Sequence, residues 1–409
     1  MKVSTDWILK IMILSLVLTG CRQQQMNTTE LKKPQDVVNY CVDNAIEFDF
    51  DNTEDSINDE MINVLAPYKV VLVGEMHFVH EHQEMMGALL KRLHKEGFRY
   101  YLQEGSTSTG LMIDYYIKGK LEDLTKYEKS SDLTTINELR DFNRKLREEG
   151  REKEQISYIG FDLNHMRTEY ETALKHIINI YQLPEKTFTF YNHNAIKIKQ
   201  ALDRKEINGL NDSQINELKY ITEAEIKSAE ILASFDSPGD KDFDYNREDF
   251  IESYVLKVID SSKDREKIII NTGSWHAQLI LYRNVTDDEN FKWLGMRLKE
   301  YFKGNPNGLY SFSCNAYEGQ FRYNLYSPDF FNYNADKGLK KGALIPHLMK
   351  RYKTQTVFLD FTTIPANDLP INIQKPHDMT CLPVNTQFNG MLVYPKASIP
   401  TALKYYEKK

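Results

Sequence analysis

The sequence predicts an α/β protein: a mostly parallel central sheet flanked by helices, with a helical insertion capping the carboxyl edge of the strands. Three observations carry this. Short apolar runs of strand length (Val70 to Val73, Phe98 to Gln103, Ile156 to Phe161 and Lys267 to Asn271) are separated by stretches of helical periodicity. The first two runs and the helix between them span about thirty-five residues, a βαβ unit, which requires parallel pairing. All four runs end in polar, chemically useful residues: Glu75 and His77, Glu104, Asp162 and His165, Asn271 and His276.

The chain has 409 residues, 41% of them apolar and 27% charged, enough for a sizeable core. Its formal net charge of -7 provides no general basic field, so nucleic acid is not an expected partner. Lys2 and Lys10 flank the start of a short apolar stretch, Ile11 to Leu18, which ends in Leu18-Thr-Gly-Cys21. That pattern is a secretory signal, too short for a spanning helix. The Leu-x-Gly-Cys ending resembles the lipobox of bacterial lipoproteins, which implies a signal peptide over residues 1–20, cleavage before Cys21, and palmitate-type acylation of that residue. Residues 21–30 then form a polar, flexible tether to a membrane. Arg22 matches no inner-membrane retention signal, so the expected location is the cell envelope, at the outer membrane. Cys41, Cys314 and Cys381 remain. They fit no metal spacing, allow at most one disulfide, and are expected to pack in the core.

One domain is expected over residues 31–409. Leu31 to Ala66 mixes helix and turn signals ahead of the first strand. Met86, Leu89, Leu90 and Leu93 recur at helical spacing after it, and Gly97 supplies a stop. Helical insertions are expected over about 106–150 and 170–260, the second including a cap at Asn211-Asp212 and a break at Ser237-Pro-Gly-Asp240. A further helix starts near Asp244 and carries Ile251, Tyr254 and Val258 on its apolar face. Arg247 lies four residues before Ile251 on that face, a position where a merely solvated arginine is not expected. Leu309 to Ala316 and Gln320 to Tyr326 alternate like neighbouring strands about a turn at Tyr317-Glu-Gly319. Thr356 to Phe361 and Gly390 to Tyr394 give two more strands.

In a parallel sheet the carboxyl ends of the strands share one edge, so the polar strand ends converge although distant in sequence. Two chemistries fit them. In metal-free hydrolysis a His takes a proton from water, a carboxylate fixes its tautomer and an Arg steadies the oxyanion. In a metal site two His and a carboxylate leave room for a bound water. His80 and His82 sit where the following helix begins and cannot both point with His77; His80 is expected to face water. No Gly-x-Ser-x-Gly elbow and no phosphate-binding Gly loop is present.

Val71-Leu-Val-Gly-Glu-Met-His77, then a helix and Gly97-Phe-Arg-Tyr-Tyr-Leu-Gln-Glu104, resembles the erythromycin esterase family and its relatives, the ChaN-type haem-binding lipoproteins and the Tiki/TraB group. Ile159-Gly-Phe-Asp162, Asn246-Arg-Glu-Asp-Phe250, Ile268-Ile-Ile-Asn-Thr-Gly-Ser-Trp-His276, Leu294-Gly-Met-Arg-Leu298, Phe358-Leu-Asp-Phe361 and Phe388-Asn-Gly-Met-Leu392 follow in the family's order, covering about residues 67–394. The resemblance implies an envelope hydrolase of a small-molecule ester, lactone or amide, with His77 as general base on water and Glu75, Glu104, Arg247 and His276 as its catalytic partners. Asp162, His165 and Asn271 are the substrate-binding candidates. No cofactor is required on the esterase pattern. The esterases place two residues between Glu and His, whereas this chain has only Met76. Gly-Glu-x-His with a further His at position 82 looks more like the ChaN type, which implies haem. Gly74-x-x-His77 paired with Gly273-x-x-His276 looks like the Tiki metalloproteases, which implies a divalent metal on His77, His82, Glu104 and His276.

Overall fold

The computed structural model of the chain describes residues 31–124, 133–235, 241–280, 290–321, 331–335, 344–365, 370–371 and 382–400. Cys21, the signal and tether segments, the Ser237–Asp240 break and Cys381 lie outside them.

The chain opens with helix α1 (Pro34–Asp43), strand β1 (Ile46–Phe48) and helix α2 (Asp59–Leu65). Strand β2 (Val70–Glu75) and helix α3 (His80–His94) lead to β3 (Phe98–Ser106), the expected βαβ unit. Helices α4 (Thr107–Ile117) and α5 (Leu133–Glu148) fill the first insertion and deliver the chain to β4 (Ser157–Asp162). Helices α6 (Arg167–Ile180), α7 (Ala195–Asp203), α8 (Asp212–Ala233) and α9 (Lys241–Ser261) make the second insertion before β5 (Lys267–Gly273). Asn211 caps α8 as expected: its side chain accepts from Gln214 N–H while Gln214 reaches back to Asn211 N–H. The last third comprises α10 (Leu294–Tyr301), β6 (Leu309–Phe321), β7 (Phe331–Asn334), α11 (Leu344–Tyr352), β8 (Thr356–Asp360), β9 (Pro370–Ile371), β10 (Leu382–Pro383), α12 (Val384–Gln387) and β11 (Gly390–Ala397).

Nine strands form one sheet in the order β1-β8-β11-β6-β2-β5-β3-β4, with β7 paired to β6; β9 and β10 make a separate two-stranded ribbon. Pairing is parallel from β11 through β6, β2, β5 and β3 to β4. It is antiparallel where β8 meets β1 and β11, and where β7 meets β6. Continuous Val/Ile runs suit the central strands because both sheet faces are covered. Side chains alternate across the pleat: Val71, Val73, Tyr101 and Ile269 enter one core, while Val70, Leu72, Leu102, Ile268 and Ile270 enter the other. The first core is covered by α3 to α8, the second by α8, α9 and α10. A third cluster joins α1 and α11 to β8 and β11.

Two expectations fail in detail. Leu31 to Ala66 contains an edge strand as well as helices, because β1 pairs with β8 from the far end of the chain. The expected turn at Tyr317-Glu-Gly319 does not exist: β6 runs straight through it. Gly319 adopts φ +135° there, pairing with Ala397 on one side and Tyr333 on the other. A side chain at Gly319 would strike the Ala397 backbone, so this glycine marks close strand approach rather than reversal. Cys41 and Cys314 are free and buried, and burial pushes the Cys41 thiol up to about 12. No helix among the described residues is long and apolar enough to cross a membrane.

Candidate active site

The register of the parallel strands decides which polar ends meet. Glu75 lies opposite Gly273, Gln103 opposite Asn271, and Ser106 opposite Asp162. Glu75, Glu104, Asp162 and the Asn271–His276 segment therefore share one sheet edge. α9 adds Arg247 and Glu248 from the second insertion.

Glu75 and His77 form a dyad, with His77 Nδ1 at 2.8 Å from Glu75 Oε1. The Glu75 side chain is 11% exposed, whereas that of His77 is 41% exposed. The ring Nε2 of His77 lies over Gly273, where an added Cβ would come within 2.8 Å of it and within 3.4 Å of a Glu104 oxygen. Only glycine at position 273 allows that approach. Burial disfavours the His77 imidazolium, but the Glu75 hydrogen bond and the charges of Glu75 and Glu104 outweigh it. Its pKa rises to about 9, with Arg247 opposing. Burial likewise opposes ionisation of Glu75, and its bonds to His77 and His82 reverse this, holding the carboxyl well below the ordinary range.

Glu104 is the hub. One oxygen accepts from Thr272 Oγ1 (2.8 Å) and Gly273 N–H (2.6 Å); the other meets Arg247 (2.8 Å) and His276 Nε2 (3.5 Å). Arg247 also donates twice to Asp162, at 3.0 and 2.6 Å. Burial works against both carboxylates; His276 and then Arg247 hold Glu104 ionised, and Arg247 does so for Asp162. His165 stands 3.4 Å from Asp162 on the outer side and is half-exposed; the hydrogen bond to Asp162 raises its pKa above the opposing effect of burial.

His276 forms a second dyad. Its Nδ1 is 2.9 Å from Glu248, which is 1% exposed and also accepts from Leu294 N–H at 2.5 Å. With a carboxylate at each ring nitrogen, the His276 pKa is raised: burial lowers it, and Glu248 and Glu104 more than restore it. Sequence reasoning passed over Glu248. A signal existed, since Glu248 precedes Ile251 and Val255 by three and seven residues, a carboxylate on the buried stripe of α9.

The structure thus brings together Glu75, His77, Glu104, Asp162, Arg247 and His276, with His165 at the margin. Asn271 lies beneath this group, 1% exposed, bonded to Glu75, Gln103 and His82. His82 is 2% exposed, and both its ring nitrogens face protein groups, Tyr394 Oη on one side and Asn271 and Glu75 on the other. His80 starts α3, partly exposed and 3.1 Å from Glu84.

The cofactors implied by the resemblance do not fit these residues as they stand. Both ring nitrogens of His82 are committed to Tyr394, Asn271 and Glu75, which takes it out of a ligand set with His77 and His276. Among the described residues no three His, Cys, Asp or Glu side chains are arranged to hold a metal ion. Haem ligation needs an apolar slot beside an uncommitted axial ligand. Around His77 Nε2 stand Gly273 and Glu104, with the Arg247 charge near, a polar setting.

No protein-family model and no curated protein matches the sequence. Solved structures match the fold. A protein from Bacillus cereus superposes with TM-score 0.64 at 16% identity, covering 90% of this chain and 99% of that one. A succinoglycan biosynthesis protein gives 0.61 at 16% identity, covering 90% and 98%. An erythromycin esterase mutant in its open conformation gives 0.56 at 13% identity, covering 84% and 95%. The chain has the fold of an erythromycin esterase, with its Glu–His dyad at the carboxyl edge of the sheet.

Proposed function

We propose that the protein is a hydrolase of an ester, lactone or amide, acting through a water activated by the Glu75–His77 dyad. The observation that carries this is the dyad's geometry. Glu75 accepts the Nδ1 proton, so neutral His77 presents its Nε2 lone pair toward Gly273 and Glu104. A water at Nε2 loses its proton to His77 as its oxygen attacks the carbonyl carbon. His276 and Arg247 supply positive charge beside the developing oxyanion, and His276 can return a proton to the leaving alkoxide or amine. Glu104, gripping Arg247, His276 and the Gly273 amide, keeps these groups in register. The esterase whose fold the chain shares supports the hydrolytic class. Its substrate is a property of that protein.

A panel of aryl and alkyl esters, lactones and amides tests the proposal. Turnover of at least one member that survives chelation is expected, together with no Soret shift on hemin titration. Activity that disappears on chelation and returns with one metal points to the metalloprotease pattern, and a saturable Soret shift without hydrolysis points to haem carriage. Either result overturns the dyad mechanism.

Lipid attachment at Cys21 and retention at the cell envelope belong to the same proposal, supported by the Leu18-Thr-Gly-Cys21 ending. Expressed in a bacterium, the full chain is expected in the membrane fraction and the Cys21→Ala chain in the soluble or unprocessed pool. Equal fractionation of the two defeats it.

A further inference from the structure

We infer that His82 and Asn271 are positioning residues for the His77 base: a buried relay from Tyr394 through them fixes the Glu75 rotamer and, through it, the tautomer of His77. This rests on the hydrolytic reading above and goes beyond it, because neither residue touches the position of the attacking water.

The relay's donors and acceptors are determined one by one. The Tyr101 hydroxyl donates to Gln103 Oε1 at 2.6 Å, which turns the amide oxygen of Gln103 toward the network. Asn271 Nδ2 donates to that same oxygen at 2.8 Å and to Glu75 Oε2 at 2.6 Å. Its two amide protons are then used, so Asn271 Oδ1 is the acceptor for His82 Nε2 at 2.9 Å. His82 must carry its proton on Nε2, and that N–H also lies 3.2 Å from Glu75 Oε2. The other ring nitrogen, Nδ1, faces the Tyr394 hydroxyl at 3.2 Å. The Cys314 thiol lies against both His82 and Tyr394 and completes the enclosure.

Every member of the relay is buried: Tyr101, Gln103, Asn271, His82, Tyr394 and Cys314 are 6% exposed or less. Water cannot substitute for a missing partner there, so the network specifies one arrangement. Two donors pin Glu75 Oε2, which leaves Oε1 directed at His77 Nδ1. Without them the carboxylate is free to rotate, and the imidazole loses the partner that keeps its proton on Nδ1. The relay also accounts for polar residues inside a parallel sheet whose neighbours are Val, Leu and Ile.

The test uses the full chain labelled with nitrogen-15 histidine, the His77 signals being assigned by their absence in His77→Asn. Above its pKa, wild-type His77 is expected to show the Nδ1–H tautomer. His82→Leu is expected to lose that preference and to lower kcat by about tenfold or more at unchanged KM. His82→Gln, whose amide can again donate to Asn271, is expected to recover most of both. Asn271→Asp keeps the side-chain volume but sets a carboxylate oxygen against Glu75, and is expected to reproduce the His82→Leu losses in a cooperatively melting protein. A folded His82→Leu or Asn271→Asp protein with the wild-type tautomer overturns the inference. Loss of the tautomer in these variants, with no ester hydrolysed even by the wild type, upholds the relay and sinks the hydrolytic reading.

Discussion

Replacing His77 with Asn is expected to lower kcat for the best ester substrate by roughly three orders of magnitude, within the usual contribution of a general base. The variant keeps a side chain that Glu75 can bond, and the His77 side chain is 41% exposed, so thermal stability should change little. The pH profile supplies the sharper check. A base works in its neutral form, and the His77 pKa is raised to about 9. At pH 7 roughly one molecule in a hundred then carries neutral His77. The rate kcat/KM should therefore climb about tenfold per pH unit from neutrality and level off near pH 9. Glu75→Gln removes the charge and the hydrogen bond that raise this pKa, so its inflection should move down toward or below the ordinary histidine value while the plateau falls. A wild-type profile flat between pH 6 and 9, or a Glu75→Gln profile with an unmoved inflection, would rule His77 out as the base.

Arg247 carries the second large expectation, on stability. Its guanidinium holds two carboxylates that are otherwise nearly enclosed, Asp162 and Glu104, with side chains 4% and 11% exposed. Arg247→Met keeps the stem and deletes the charge, leaving Asp162 without its main counter-charge and Glu104 with His276 alone opposite it. Breaking a buried pair in this way costs about 3–5 kcal/mol, and the 21% exposure of Arg247 favours the lower end. The sign with pH follows from linkage. In the wild type the depressed carboxylate pKa values contribute stability above the unfolded value near 4, lost as pH falls through the folded values. In Arg247→Met burial prevails at Asp162 and lifts its pKa, so the folded state binds more protons there and weakens as pH climbs. The melting-temperature gap between the two proteins should accordingly be wide at pH 8 and narrow toward pH 5. A gap that is constant across this range means that Arg247 acts through packing alone.

These two residues also show how different parts of the site became legible. Arg247 stood out in the sequence because a charged side chain on the Ile251, Tyr254 and Val258 stripe has to face something other than water. Glu248, the next residue, serves His276 as directly, yet one neighbour shifts by about 100° around a helix. That both adjacent charged residues reach the site, Arg247 to Glu104 and Asp162 and Glu248 to His276, follows from the rotation of α9 about its axis, a tertiary quantity. The misplaced turn at Gly319 has a similar origin, since glycine permits a reversal and a close strand crossing alike.

From its sequence alone, the chain determines an α/β fold and a shared edge for Glu75, His77, Glu104, Asp162 and His276. Strand runs separated by helices leave little besides parallel pairing, and parallel pairing aligns the carboxyl ends. That the histidines of the first motif diverge is legible in the sequence; tertiary structure alone decides which partners each one meets. His77 turns outward over Gly273 as a base in waiting; His82 turns inward to Asn271 and Glu75. The cause is the start of α3 between them, which rotates successive side chains to different sides. The partners that receive them stand on β2, β5 and β11, strands far apart in the chain, and no local pattern encodes that meeting.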